Sequence, residues 1–233
     1  MLFRQLFDAT SSTYTYLLAD QKTAEAVLID PVRDQMSSYL RLLEELELKL
    51  VMAVDTHVHA DHITALGALR EATGCVTWMG QQAQADCVSA RFADDDRLRF
   101  GAHELVVMYT PGHTDDSYSF YLEANGQRFA FTGDTLLIRG TGRTDFQNGN
   151  SREQYHSLFQ RLLQLPGDTQ VYPAHDYKGW TVSSIAEERL HNPRLQVASE
   201  DEYVQLMQAL KLPNPKLMDV AVPANRACGI DQV

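Results

Sequence analysis

Seven residues, Thr56-His57-Val58-His59-Ala60-Asp61-His62, constrain this chain more than any other stretch. With Asp55 just before them, they put three imidazoles and two carboxylates into eight residues. An apolar run, Leu50-Val51-Met52-Ala53-Val54, precedes them and reads as a buried strand. Ile63 to Leu69 follows with a helix-like apolar pattern, so Asp61 and His62 are expected to open a helix. The cluster therefore sits on the loop at the C-terminal end of a strand, where open α/β sheets bind their ligands. In an extended loop His57 and His59 point the same way, because side chains alternate with period two. A polar turn capped by Asp61 needs no three histidines, whereas a metal site does.

Three further strand ends repeat the pattern. Thr110-Pro111-Gly112-His113-Thr114 follows a strand ending at Tyr109. Thr132-Gly133-Asp134-Thr135 follows one ending at Phe131, and Tyr172-Pro173-Ala174-His175-Asp176 follows one ending at Val171 or Tyr172. A small residue stands just before each polar one, so the backbone can turn tightly there. Singly, a Gly-Asp is a turn and a His is a packed or exposed side chain. Four strand ends presenting His, Asp or both are the layout of a metal cleft.

The rest of the chain supplies the frame. Strands are expected over Phe3 to Phe7, Tyr14 to Leu18, Ala26 to Ile29, Cys75 to Met79, Leu98 to Phe100, Leu105 to Tyr109 and Gln170 to Tyr172. Asn125-Gly126 lies between alternating runs, Ser117 to Glu123 and Gln127 to Thr132, and signals a hairpin. Helices are expected over Asp34 to Leu48, Gln81 to Ala90, Ser151 to about Leu163, Thr181 to His191 and Ser199 to Leu210. Ser151-x-x-Gln154 and Ser199-x-x-Glu202 have the form of capping boxes. No linker or fixed-period repeat interrupts the 233 residues, so residues 1–233 read as a single domain with two sheets and helices outside them.

A net charge of −11 disfavours nonspecific contact with nucleic acid or an anionic membrane, and neither is expected as a partner. No apolar run approaches the roughly 18 residues that span a bilayer. The N-terminus, Met1 to Phe7, is too short and polar for a signal peptide. Cys75, Cys87 and Cys228 are odd in number and irregular in spacing, which predicts reduced thiols and a cytoplasmic setting.

His57-x-His59-x-Asp61-His62, then His113, Asp134 and His175, resembles the signature of the metallo-β-lactamase fold, in order and over nearly the whole chain. That resemblance implies an α/β protein, an αββα sandwich of two mixed β-sheets flanked by helices, with the metal cleft at the sheet edges. The string Leu136-Leu137-Ile138-Arg139-Gly140-Thr141-Gly142-Arg143-Thr144-Asp145-Phe146-Gln147 narrows it, with Tyr172 to Tyr177, Asn192-Pro193-Arg194-Leu195, and Val222 to Gly229. Together these look like the persulfide dioxygenases, which oxidise glutathione persulfide with O2 and water to glutathione and sulfite.

The resemblance implies one Fe(II) per chain, held by His57, His113 and Asp134. Two histidines and a carboxylate on one face of an octahedron leave room for both O2 and a sulfur ligand. His59, Asp61, His62, His175 and Asp176 are then expected to hydrogen-bond and orient those ligands. Spacing alone leaves a second metal open. Glutathione carries two carboxylates, for which Arg143, Arg194 and Arg226 are the expected cations, with Tyr177 as a hydroxyl near the sulfur. Arg143 has a structural alternative in Asp145, and Arg194 an equally good structural reading. No protein nucleophile is expected, and Cys228 reads as an inert thiol. After His113-Thr114 the chain departs from the family pattern with Asp115-Asp116, two carboxylates expected near the cleft mouth. A homodimer is the commonest closed assembly. The rival reading is a glyoxalase II-type hydrolase acting on hydroxyacylglutathione with two metals and a bridging hydroxide. A nuclease of the same fold is disfavoured by charge, and a non-catalytic binding module by the intact ligand set.

Overall fold

The computed structural model describes residues 1–213 and 217–230. Their contacts group them into two compact units. The first comprises residues 1–92 and 97–104 with the C-terminal residues from 217, and the second residues 93–96 and 105–213.

The first unit is built on a six-stranded mixed sheet in chain order, β1 (Leu2–Asp8), β2 (Thr13–Ala19), β3 (Glu25–Ile29), β4 (Lys49–Val54), β5 (Val76–Gly80) and β6 (Ala90–Phe92). The first three strands pair antiparallel and the rest parallel. β2 is buried along its whole length, which its uniformly apolar and threonine-rich sequence permits. β7 (Arg97–Phe100) packs near β3. Helix α1 (Met36–Glu45) lays Tyr39 and Leu43 on the core. It ends three residues before the expected Leu48, because Glu47 turns left-handed (φ 54°) and Leu48 N–H returns to the Leu43 carbonyl. α2 (Leu66–Thr73) and α6 (Met218–Arg226) complete the unit. Leu17, Leu28, Leu50, Leu66, Leu69 and Met79 centre its core.

Three expectations for this unit fail. Asp61 and His62 do not open a helix, since α2 starts only at Leu66. The intervening amides are taken by other elements: Ala65 N–H by Pro31 and Thr64 N–H by the Asn225 side chain. Gln81 to Ala90 is not a helix: residues 81–89 form a loop and Ala90 begins β6. The loop's groups are satisfied from outside, with Gln81 N–H on Phe92 and the Cys87 carbonyl on Arg70. Nor are the cysteines all reduced: Cys87 and Cys228 form a disulfide, and only Cys75 is free among the three. Residues 141 apart in sequence had become neighbours, which irregular spacing could not reveal.

The second unit carries a mixed sheet ordered β14-β13-β10-β9-β8. These are β8 (His103–Tyr109), β9 (Tyr118–Ala124), β10 (Gln127–Gly133), β13 (Gln170–Pro173) and β14 (Ser183–Ser184), with a two-stranded β11 (Leu136–Leu137) and β12 (Gly140–Thr141) beside them. Asn125 and Gly126 both take positive φ, 53° and 75°, as a two-residue hairpin requires. α3 (Ser151–His156) continues as a π turn (Ser157–Arg161) and a short 3-10 turn (Leu162–Gln164). Its cap is Asn150, one residue before the expected Ser151, accepting from the Arg152 and Glu153 amides. α4 (Ile185–His191) starts later than Thr181, because Ser183 and Ser184 first pair with β13. α5 (Glu200–Gln208) is capped by Ser199 as expected, and Glu202 returns to the Ala198 amide. Leu158, Leu162, Val171, Ile185 and Tyr203 centre the second core. No helix among the described residues is long and apolar enough to cross a membrane.

Candidate metal centre

In the first unit the histidine loop hangs from the ends of β3 and β4. Asp30 leaves β3 in a left-handed conformation (φ 52°) with its amide on the Val54 carbonyl, 2.9 Å. Its carboxylate then reaches beneath the loop. Oδ1 accepts from Thr56 N–H at 2.7 Å and from His59 Nε2 at 3.1 Å, and Oδ2 accepts from the Thr56 hydroxyl at 3.1 Å. The Thr56 hydroxyl has one proton, and an ionised Asp30 can only accept. Thr56 Oγ1 must therefore accept from His57 Nδ1, 2.9 Å away, so His57 is the Nδ1–H tautomer and its lone pair is on Nε2.

His57, His59 and His62 are each at most 3% exposed, and their rings lie 4.1 and 4.3 Å apart in sequence order. Burial pushes the His59 imidazole down, but the Asp30 carboxylate overrides it and raises the pKa to about 9. His62 Nδ1 lies 2.9 Å from Asp61 Oδ2, which also accepts from Thr13 at 3.1 Å. His59, Asp61 and His62 each offer one donor atom, all within 4.8 Å of one another.

A residue to which the sequence reading gave no role closes this loop. Asn225, on α6 and fully buried, donates through Nδ2 to the His59 and His62 carbonyls, both at 2.8 Å. Its Oδ1 accepts from Thr64 N–H, also at 2.8 Å. It lies inside the Val222 to Gly229 string, yet neither its type nor its spacing announces contacts 161 to 166 residues away.

In the second unit His113, Asp134 and His175 converge from the ends of β8, β10 and β13. His113 Nδ1 lies 2.7 Å from the Arg143 carbonyl, an obligate acceptor, so it carries the proton and Nε2 the lone pair. That Nε2 is 3.6 Å from Asp134 Oδ2. Asp134 Oδ1 accepts from His175 Nδ1 at 2.7 Å. Gly142 backs the group and donates to the Asp134 carbonyl at 2.7 Å. A Cβ there would stand 2.2 Å from that oxygen and 2.7 Å from His113 Nδ1, so only glycine fits. Gly112, at φ 131°, likewise has Gln154 backbone where a side chain would go.

The expected supporting residues divide. Asp176 caps its own loop, accepting from Lys178 and Trp180 amides at 2.7 and 2.8 Å, rather than touching a histidine. Tyr177 stacks parallel on His175 at 6.1 Å and is 70% exposed. Arg143 forks onto Asp145 at 2.6 and 2.7 Å, reaches the Pro213 carbonyl at 2.6 Å and lies over the Phe146 ring. That pair holds the Asp145 carboxyl below its usual range. Arg194 is turned to Thr141, binding its carbonyl and, at 3.2 Å, its hydroxyl. Burial lowers the Arg194 guanidinium. Arg226, in the first unit, lines a surface cavity beside Cys87. Asp115 accepts from Asn148, and Asp116 is buried rather than displayed at a mouth.

The donors suit a divalent transition metal. Imidazole nitrogens have their protons committed to oxygen on the far side of the ring, and a carboxylate has one oxygen engaged and the other directed to a histidine. The Gly142 cradle leaves no latitude for that carboxylate's backbone.

The sequence profile of the metallo-beta-lactamase superfamily matches residues 9–86 and 89–175. Persulfide dioxygenase ETHE1, mitochondrial, of Mus musculus is 48% identical over 233 residues, covering 99% of this chain and 89% of the relative. The human protein of that name gives the same identity and coverage. A probable hydroxyacylglutathione hydrolase of Schizosaccharomyces pombe is 35% identical over 72% of this chain and 65% of its own length. Among solved structures, ETHE1 from Myxococcus xanthus superposes with a TM-score of 0.95 at 54% identity, over 99% of this chain and 100% of its own.

Proposed function

Because the chain belongs to the metallo-beta-lactamase superfamily and, within it, to the persulfide dioxygenase family, we propose that it oxidises glutathione persulfide with O2 and water to glutathione and sulfite. By the family resemblance, His57, His113 and Asp134 would hold one ferrous ion. When bound, the ion supplies the redox chemistry by which dioxygen reacts with the terminal sulfur. The single-metal reading rests on family membership and is supported by the engagement of Asp134, whose Oδ1 accepts from His175 and so is not free to join Oδ2 in a two-oxygen bridge between metals.

The protein's part is orientation and charge. Asp30 and Thr56 hold the His57 tautomer, and the Arg143 carbonyl holds that of His113. His175 fixes the Asp134 carboxylate and carries the Tyr177 ring on its face. The exposed Tyr177 hydroxyl is assigned to the substrate. Arg194 supports Thr141 in the backbone that backs His113 and Asp134, and the Arg143 guanidinium is committed to Asp145 and the Pro213 carbonyl, so carboxylate recognition falls to them only secondarily.

The donor trio His59, Asp61 and His62 favours the one serious competitor, a two-metal thioester hydrolase. Anaerobic iron loading, metal analysis and an oxygen electrode with glutathione persulfide separate the two. The expected result is about one iron per chain, with oxygen uptake lost with iron in His57→Ala. Two ions per chain with hydrolysis of a glutathione thioester and no oxygen uptake would overturn the proposal.

A further inference from the structure

The segment that clamps the histidine loop is itself held by the disulfide. Asn225 makes three hydrogen bonds to residues 59–64, and Cys228 follows it by one turn of chain. The Cys228 carbonyl accepts from Gly67 N–H at 2.9 Å, and Arg33 reaches the Gly229 carbonyl at 3.1 Å. Gly229 lies so close to Thr64 that a Cβ would stand 2.1 Å from its carbonyl oxygen. Yet α6 has little apolar anchorage. It buries only Ala221 and Asn225, contains Pro223, and leaves Val220 58% exposed. A covalent bond to Cys87 therefore carries a large share of what keeps Asn225 seated.

The bond is also reachable. Cys228 is fully buried, but Cys87 is half-buried and lines a surface cavity of about 470 Å³ with Gln84, Arg226 and Ile230. Asp86, at its rim, is drawn to Arg91, which leaves Arg226 as the cation among the described residues that line the cavity. The volume is that of a small-molecule site.

We propose that the Cys87–Cys228 pair is a redox latch on the histidine loop, opened by a small anionic thiol that enters the Arg226-lined cavity and attacks Cys87. The thiolate bonds to Cys87 Sγ, the S–S bond breaks, and its electron pair leaves on Cys228 Sγ, which takes up a proton. A second thiol displaces the first as a disulfide and returns Cys87 to the thiolate, so two thiols are oxidised and the pair gains two electrons. Reduced, the segment keeps its weak packing and the hydrogen bonds at the Cys228 and Gly229 carbonyls but loses its covalent tie, and Asn225 releases the His59 and His62 carbonyls more often.

The inference rests on the reading that this loop carries metal donors, but its test does not. The metal-free full-length chain is compared, oxidised and reduced, by hydrogen exchange of peptides covering residues 57–66, with free thiols counted in parallel. Exchange is expected to rise several-fold on reduction, to be equally high without reductant in Cys87→Ser, and to be high in both states in Asn225→Ala. Glutathione should open the latch several-fold faster than neutral 2-mercaptoethanol at low salt, the gap closing in Arg226→Gln. Exchange that is identical in both redox states, or a pair of thiols that cannot be oxidised in the folded chain, would overturn it. Loss of oxygen uptake with the exchange response intact would count against the dioxygenase reading alone.

Discussion

Each proposed metal ligand is readied by a neighbour that decides which atom it offers. For His57 that neighbour is Thr56, whose hydroxyl donates its hydrogen bond to Asp30 and so must accept one from the ring Nδ1–H. Thr56→Val keeps the volume and removes the relay. The His57 tautomer is then no longer enforced, and buried Asp30 Oδ2 loses a donor. Iron affinity should fall about 10- to 100-fold, the usual cost of removing such a partner. Chelator competition on the folded variant measures it, and unchanged affinity would remove Thr56 from the site. The residue types in this group were legible in the sequence because histidines so dense have few uses. Asp30 and Asn225 were not legible, because one carboxylate after a strand and one amide near a terminus are common everywhere. Only the tertiary contacts assign them.

At the level of elements, strands were read more reliably than helices. Period-two alternation and the Asn125-Gly126 turn are local signals, and the hairpin formed where they placed it. The Gln81 to Ala90 helix failed because its backbone is bonded by Phe92 and Arg70 and its Cys87 is tied to Cys228, tertiary terms that exceed a weak helical preference. The start of α3 turned on one cap. Asn150 Oδ1 accepts from two amides of the first turn, at 2.9 and 3.3 Å, and the helix leads from Gly112 and His113, since Asn150 N–H is on the Gly112 carbonyl. Asn150→Ala should cost about 1 kcal/mol by denaturant titration. A change within a few tenths would mean that Ser151 or water replaces the cap.

Across the whole molecule, acid sensitivity has a traceable source. Burial tends to raise the Asp94 carboxyl, but Arg161 at 2.8 Å and the Tyr109 amide at 2.7 Å outweigh it and hold its pKa below the usual 3.8. A folded-state pKa below the unfolded one contributes stability that is complete above 3.8 and fades as pH falls through the folded value. Asp94→Asn should therefore melt lower than wild type at neutral pH, with the gap narrowing as pH drops below 3.8. A gap constant across that range would mean the carboxylate's charge contributes nothing. Two sheets with helices outside them were readable from the order of strands and helices, because alternation and turn chemistry act over a few residues, while the metallo-beta-lactamase fold was implied by the resemblance of the strand-end histidines and aspartates to that family's signature. The kind of chemistry was readable too, because imidazole and carboxylate carry it wherever the chain delivers them. Tertiary structure alone decided the tautomers, the clamp by Asn225 and the union of Cys87 with Cys228. Each depends on atoms brought within bonding distance by packing, and no short-range pattern along the chain encodes that distance.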